Sequence, residues 1–191
     1  MLEFIETNWV ELVGAIAGLI YLYLEYKADI RMWPTGILMS SFYAYVFIQA
    51  RFYAFAYINI YYILAAVYGW LKWNRHKAEE NTDVGITHTP KPYYPKLAGA
   101  TVLLFALISF VLVRYTDSPV PYGDSFVTTL SIISMWMLAH KLLEQWLLLT
   151  VLNAASVYLY FTQGLAPTSG LYMVYTVGSV LGYFKWKKIM K

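Results

Sequence analysis

The chain contains no cysteine among its 191 residues. That excludes a disulfide framework, a thiolate nucleophile and any metal site built on thiolates. Charge is scarce as well: 13% of the residues are charged, against about 25% in a typical soluble domain. With 60% hydrophobic residues, 14 basic and 11 acidic side chains cannot coat the surface of an ordinary cytosolic enzyme. The net charge is only +3 and the basic residues form no stripe, which excludes nucleic acid as a partner. What the chain has instead is long apolar runs and 19% aromatic residues. This is the composition of an integral membrane protein, with the lipid bilayer as its first partner.

A hydrocarbon core about 30 Å thick needs roughly 20 apolar residues in a helix. Such runs predict seven spans, at 10–26, 33–48, 52–73, 97–113, 124–138, 146–162 and 168–186. Pro34 suits the first turn of the second. The stretch 74–96, with mixed charges and Pro90, Pro92 and Pro95, is the only real linker. The N-terminus has no basic region, so the first span is not a cleaved signal peptide. Lys and Arg then set the orientation. Arg51 and Arg114 fall on the N-terminal side of the membrane. Lys27, Arg31, Lys72, Arg75, Lys77, Lys91, Lys96, Lys141, Lys185, Lys187, Lys188 and Lys191 fall on the other. Two against twelve places the N-terminus outside, and the long loop and C-terminus in the cytoplasm.

Sliding the chain against itself until Trp33 falls on Trp146 aligns its two ends without a gap. In that one frame Tyr45 falls on Tyr158, Tyr62 on Tyr175, and Gly69-Trp70-Leu71-Lys72-Trp73 on Gly182-Tyr183-Phe184-Lys185-Trp186. The pattern predicts two three-helix repeats. Three spans are odd in number, so a second unit placed directly after the first would be inverted; one inserted span restores its direction. The expected fold is therefore an all-α membrane protein of seven transmembrane helices in a 3+1+3 arrangement, with two parallel repeats of SWEET type joined by a connector helix. Residues 1–73 form the first repeat, 74–96 a cytoplasmic loop, 97–115 the connector, 124–186 the second repeat and 187–191 a basic cytoplasmic tail.

An acid inside a membrane span is a functional hypothesis by default. Glu11, Glu25, Asp124 and Glu144 all fall within a turn or two of a span end, which argues against ion coupling and for facilitated diffusion. Lys141 and Glu144, three apart, are expected to pair at the cytoplasmic rim. His76, His88 and His140 lack metal-ligand spacing, and no catalytic constellation lies within the spans, so neither metal, cofactor nor enzymatic chemistry is expected. Buried amides are the better lead: Asn153 lies near the middle of helix 6 and Asn59 well inside helix 3, where each needs a partner from another helix or a ligand. Most tryptophans mark an interfacial belt, while Trp136 and Tyr43, Tyr45, Tyr62, Tyr158 and Tyr175 lie deeper. A wall of aromatic rings without a buried acid suits a flat heteroaromatic ligand and tolerates a positive ring. The pairs Gly14…Gly18 and Gly178…Gly182 are spaced for close helix approach or a protomer contact.

These features resemble the PnuC family of vitamin-precursor carriers, best known for nicotinamide riboside uptake. The likeness spans nearly the whole chain. It rests on Tyr68-Gly69-Trp70 with Trp73, Phe52-Tyr53-Ala54, Asp124-Ser125, and Lys141…Glu144-Gln145-Trp146-Leu147-Leu148 followed by Asn153 and Gln163-Gly164. The resemblance implies a seven-helix relative of the SWEET carriers in a bacterial inner membrane, assembled as a homotrimer and working by facilitated diffusion. A cytoplasmic kinase would trap the vitamin. Trp146 and Asn153 carry over as substrate-binding residues, with Asn59, Tyr62 and Tyr175 contributing. Two positions depart from the riboside-carrying pattern: Leu149 stands where a second tryptophan is usual, and Asn59 where glutamine is. Members devoted to thiamine relax these positions. Nicotinamide riboside is thus the leading substrate, thiamine the alternative, and a non-transporting membrane scaffold the competing class.

Overall fold

The computed structural model describes residues 2–49, 53–80 and 85–190. Among them are seven helices and no strand: α1 (Leu2–Tyr26), α2 (Met32–Gln49), α3 (Tyr53–Glu80), α4 (Tyr93–Tyr115), α5 (Pro121–Ala139), α6 (Gln145–Thr162) and α7 (Ala166–Ile189). The helices fall where the apolar runs predict them, but several run further. α3 continues from the apolar stretch through Asn74-Arg75-His76-Lys77-Ala78-Glu79-Glu80, mostly good helix formers that need no apolar environment. Its 28 residues make a rod about 42 Å long, more than a bilayer core requires. α1 begins at Leu2 rather than near residue 10, so Glu11 lies within the helix instead of at its outer end. Pro34, Pro95 and Pro121 each sit in the first turn of a helix, where a missing N–H costs nothing.

The chain divides into two compact units, Met1–Val84 and Gly85–Lys191. In the first, α1 packs on α2 and α2 on α3. Gly14 of α1 receives the hydroxyl of Tyr43 from α2, a contact that any Cβ there would obstruct. In the second, α4 packs on α5, α5 on α6 and α6 on α7. The boundary falls inside the predicted loop, and residues 85–92 belong to the second unit.

By length and apolar composition alone, one helix among the described residues, α4, qualifies as a bilayer span. The other helices predicted to span are diluted by Tyr, Ser, Thr, Gly and terminal charges, as suits helices that pack through polar and small residues. α4 presents Val102, Leu103, Leu107, Phe110 and Val113 outward, while Ser109 is buried. Similar apolar side chains lie exposed on other helices, among them Leu38, Tyr57 and Leu64 in the first unit and Tyr158, Phe161 and Phe184 in the second. A water-soluble protein would hide such surfaces; lipid tails cover them without cost.

Candidate functional site

Both units reverse the chain between two helices by the same geometry. Ala28, between α1 and α2, and Lys141, between α5 and α6, each adopt φ of 52°, a left-handed conformation that residues with a Cβ rarely visit. The N–H of Ala28 donates to the Glu25 carbonyl at 2.9 Å, and that of Asp29 to Leu24 at 2.9 Å. In the second unit the N–H of Lys141 donates to Leu138 at 2.9 Å, and that of Leu142 to Met137 at 3.0 Å. Ala28 and Lys141 fall on each other in the frame that sets Trp33 on Trp146.

Each turn delivers a tryptophan to the second residue of the next helix. Trp33 and Trp146 are both 0% exposed. The Trp33 ring rests on Gly69 and meets Trp73 edge-on, with centroids 5.4 Å apart at 89°. The Trp146 ring rests on Gly182 and meets Trp186 edge-on at 5.6 Å and 83°. Only glycine leaves room for either ring: a Cβ at Gly182 would come within 2.5 Å of Trp146 Cζ3. Neither indole N–H has a hydrogen-bond partner among the described residues. Trp146 is thus enclosed by α7 in this conformation, and its ring borders no open volume.

Two helical turns beyond Trp146 lies Asn153, on the same face of α6. α7 answers with Tyr175, Ser179, Gly182 and Trp186 at helical spacing, so the two helices run antiparallel in register. Asn153 Nδ2 donates to Ser179 Oγ at 3.0 Å, and Ser179 Oγ donates to the Tyr175 carbonyl at 2.7 Å. Further along, Ser169 Oγ donates to the Val157 carbonyl at 3.0 Å. Beside it the Tyr160 and Tyr172 rings lie 5.0 Å apart, tilted by 35°, and Tyr172 meets Tyr175 edge-on at 5.5 Å. Trp146, Asn153 and Tyr175, singled out from the sequence, therefore share the α6–α7 face. Asn59 and Tyr62 lie three apart on α3 of the first unit, both half-buried, and the Tyr61 and Tyr62 rings sit 5.6 Å apart.

Three participants escape the sequence reading. Ser179 is one serine among several in apolar helices, recognisable only once its face meets α6. Gln145 is wholly buried, and neither of its amide atoms has a partner among the described residues. The third feature is the carboxylate clasp at Glu144, the residue just before α6. Its Oε1 lies 2.6 Å from His88 Nδ1, and its Oε2 accepts from both the N–H and the Oγ1 of Thr89 at 2.7 Å. Thr87 adds a backbone bridge, donating to the Lys141 carbonyl at 3.2 Å and accepting from the Leu143 N–H at 2.9 Å. Burial pushes the Glu144 carboxyl up, but the hydrogen bonds from His88 and Thr89 outweigh it and hold the group below the usual carboxylate range. Lys141, expected from spacing to pair with Glu144, sits in the left-handed turn ahead of α6. Both carboxylate oxygens are engaged from the linker. Among the described residues no group of three or more His, Asp or Glu is placed to hold a metal ion.

Set beside known proteins, residues 8–188 match the family described as nicotinamide mononucleotide transporter. The nicotinamide riboside transporter PnuC of Escherichia coli is 24% identical over 205 residues, covering 95% of this chain and 86% of that protein. The riboflavin/roseoflavin transporter RibM of Streptomyces davaonensis is 24% identical over 186 residues, covering 93% and 84%. The crystal structure of the vitamin B3 transporter PnuC has the same fold, with a TM-score of 0.76 at 23% identity over 97% of this chain and 83% of that one. The chain belongs to the nicotinamide mononucleotide transporter family, the PnuC transporters, and is accordingly a membrane transporter and not an enzyme.

Proposed function

We propose that this chain is a facilitative carrier of a cationic aromatic vitamin precursor, with nicotinamide riboside as its substrate, moving it across the bacterial inner membrane into the cytoplasm. The observation that carries the reading is the α6–α7 face. There a buried asparagine is anchored by one end of its amide beside a cluster of tyrosine rings, in a chain of this transporter family. Rings offer stacking and cation–π contact to a positively charged pyridinium, and the amide offers it orientation. Asn153 and Tyr175 are the proposed substrate-binding residues of the second unit, and Asn59 and Tyr62 those of the first. Trp146 contributes once the carrier leaves the conformation in which α7 encloses it.

Uniport is supported by the placement of three of the four acids near span ends: Glu25 and Asp124 stand in terminal turns and Glu144 is engaged outside α6, while Glu11 alone of the four lies well inside a helix. The turns and Trp–Gly–Trp packings, repeated in the frame that sets Trp33 on Trp146, support a 3+1+3 organisation of SWEET type with α4 as connector. The twelve-to-two distribution of basic residues supports an outside N-terminus and a cytoplasmic C-terminus. In the same reading the carrier is a homotrimer, and a cytoplasmic kinase retains the substrate. Thiamine is the alternative cargo, favoured by Leu149 and Asn59; the likeness to a riboflavin/roseoflavin transporter adds a third candidate.

Counterflow into proteoliposomes with labelled nicotinamide riboside, thiamine and riboflavin tests the proposal. Exchange of nicotinamide riboside without an imposed ion gradient is the expected result. Correctly inserted protein that exchanges none of the three refutes it.

A further inference from the structure

The contact between Asn153 and Ser179 fixes which end of the asparagine amide faces away from α7. Ser179 Oγ lies 2.7 Å from the Tyr175 carbonyl oxygen, which can only accept, so the single hydroxyl hydrogen of Ser179 is used there. The 3.0 Å contact to Asn153 must then run the other way, with Nδ2 donating to the lone pair of Ser179. Turning the amide over would set Oδ1 against Oγ with no hydrogen between them. Ser179 is 0% exposed, so no water relieves that arrangement. Asn153 retains 7% exposure, and its Oδ1 accepts no hydrogen bond among the described residues. The equivalent positions of the first unit, in the frame that pairs Trp33 with Trp146, are Ser40 and Ala66; alanine has no hydroxyl with which to set the polarity of a neighbour.

We propose that Ser179 is a positioning residue that holds Asn153 as a hydrogen-bond acceptor, and so makes the carrier select ligands presenting a neutral N–H donor over analogues presenting an oxygen acceptor at the same place. The donor is a primary carboxamide or a ring amino group. The proposal rests on the carrier reading above, with Asn153 at the ligand. It goes beyond that reading by assigning the basis of selectivity to a residue that does not itself reach the ligand.

Binding to the full-length protein in detergent tests it with two matched pairs. One pair is nicotinamide riboside and nicotinic acid riboside, which exchange a carboxamide for a carboxylate. The other is thiamine and oxythiamine, which exchange an amino group for an oxo group. The wild type is expected to prefer the donor-bearing member of at least one pair. Ser179→Ala frees the Asn153 amide to rotate and is expected to cut that preference about tenfold or more, the scale of one mismatched buried hydrogen bond. Ser179→Thr keeps the hydroxyl and its backbone bond and is expected to restore the preference. Should Ser179→Ala fail to fold, Ser179→Cys, a weaker donor and acceptor, is expected to give an intermediate ratio. A preference unchanged in Ser179→Ala, or in Ser179→Cys where that variant replaces it, overturns the proposal even if overall affinity falls. So does a folded Ser179→Thr that does not restore it, or a wild type that binds both members of each pair equally. Wild-type protein that binds none of the four refutes the reading as a carrier of a cationic vitamin precursor, on which the proposal rests, a result distinct from any change among the Ser179 variants.

Discussion

Gly182→Ala examines the packing on which the α6–α7 face depends. The added Cβ would stand 2.5 Å from Trp146 Cζ3 and 2.6 Å from Cε3 and Cη2, well inside ordinary carbon contact at about 3.5–4.0 Å. The ring cannot swing clear, because it is fully buried and Trp186 meets it edge-on at 5.6 Å. Overpacking of this kind costs about 1–3 kcal/mol. Replacing glycine in a helix returns about 1 kcal/mol of propensity, so the net loss is about 0–2 kcal/mol from these terms. At about 2–4 °C per kcal/mol for a chain of this size, the midpoint should fall by up to about 8 °C. Gly99→Ala on α4 is the internal control, since its Cβ would meet nothing within 4 Å and only the propensity gain remains. Heating each variant in detergent and measuring the folded fraction by fluorescence-detected size exclusion separates the two. Adding Trp146→Phe should recover much of the loss in the Gly182→Ala background, a non-additive result. Equal midpoints for Gly182→Ala and Gly99→Ala, or strict additivity in the cycle, would refute the argument from ring packing.

Gln145→Met substitutes the residue found at the equivalent position of the first unit, Met32, and removes two buried polar atoms without partners among the described residues. It should raise stability by about 1–3 kcal/mol in the same melting assay; a lower midpoint would show that the amide is satisfied in the membrane. Asn153→Leu should leave the protein folded and abolish ligand binding by calorimetry, and wild-type affinity would reduce Asn153 to a helix–helix contact. Glu144→Gln should speed hydrogen exchange at the Thr89 amide at neutral pH, because the charge that holds the clasp is lost; unchanged protection would sink that role. The pH dependence has a fixed sign. Because the folded Glu144 carboxyl lies below its ordinary range, the clasp contributes fully above that range and is lost only as pH falls through the lowered value. Release of Thr89 at or above about pH 4.3 would contradict this.

How the candidate site reads from sequence depends on the range of the interactions involved. Trp146 and Asn153 are visible because a ring and an amide are conspicuous in an apolar run, and because Trp146 repeats Trp33 in a gapless frame. Gly69 and Gly182 are visible as repeated letters, but their purpose is not: that each accepts a tryptophan ring follows from the crossing of two helices. Glu144 shows the limit of local spacing: its carboxylate oxygens are held by residues 55 and 56 positions away, contacts that no pattern along one helix announces.

Composition and hydropathy alone determined that this is a membrane protein of seven helices, because lipid demands long apolar runs. Helix ends were less legible, since α3 extends through charged residues that suit a helix as well as a loop. Tertiary structure alone decided which side chains meet. It enclosed Trp146, clamped the linker to Glu144, and set Ser179 against Asn153 with one hydrogen already committed. Burial and hydrogen-bond direction depend on what lies opposite, and no run of letters records its neighbour across a helix interface.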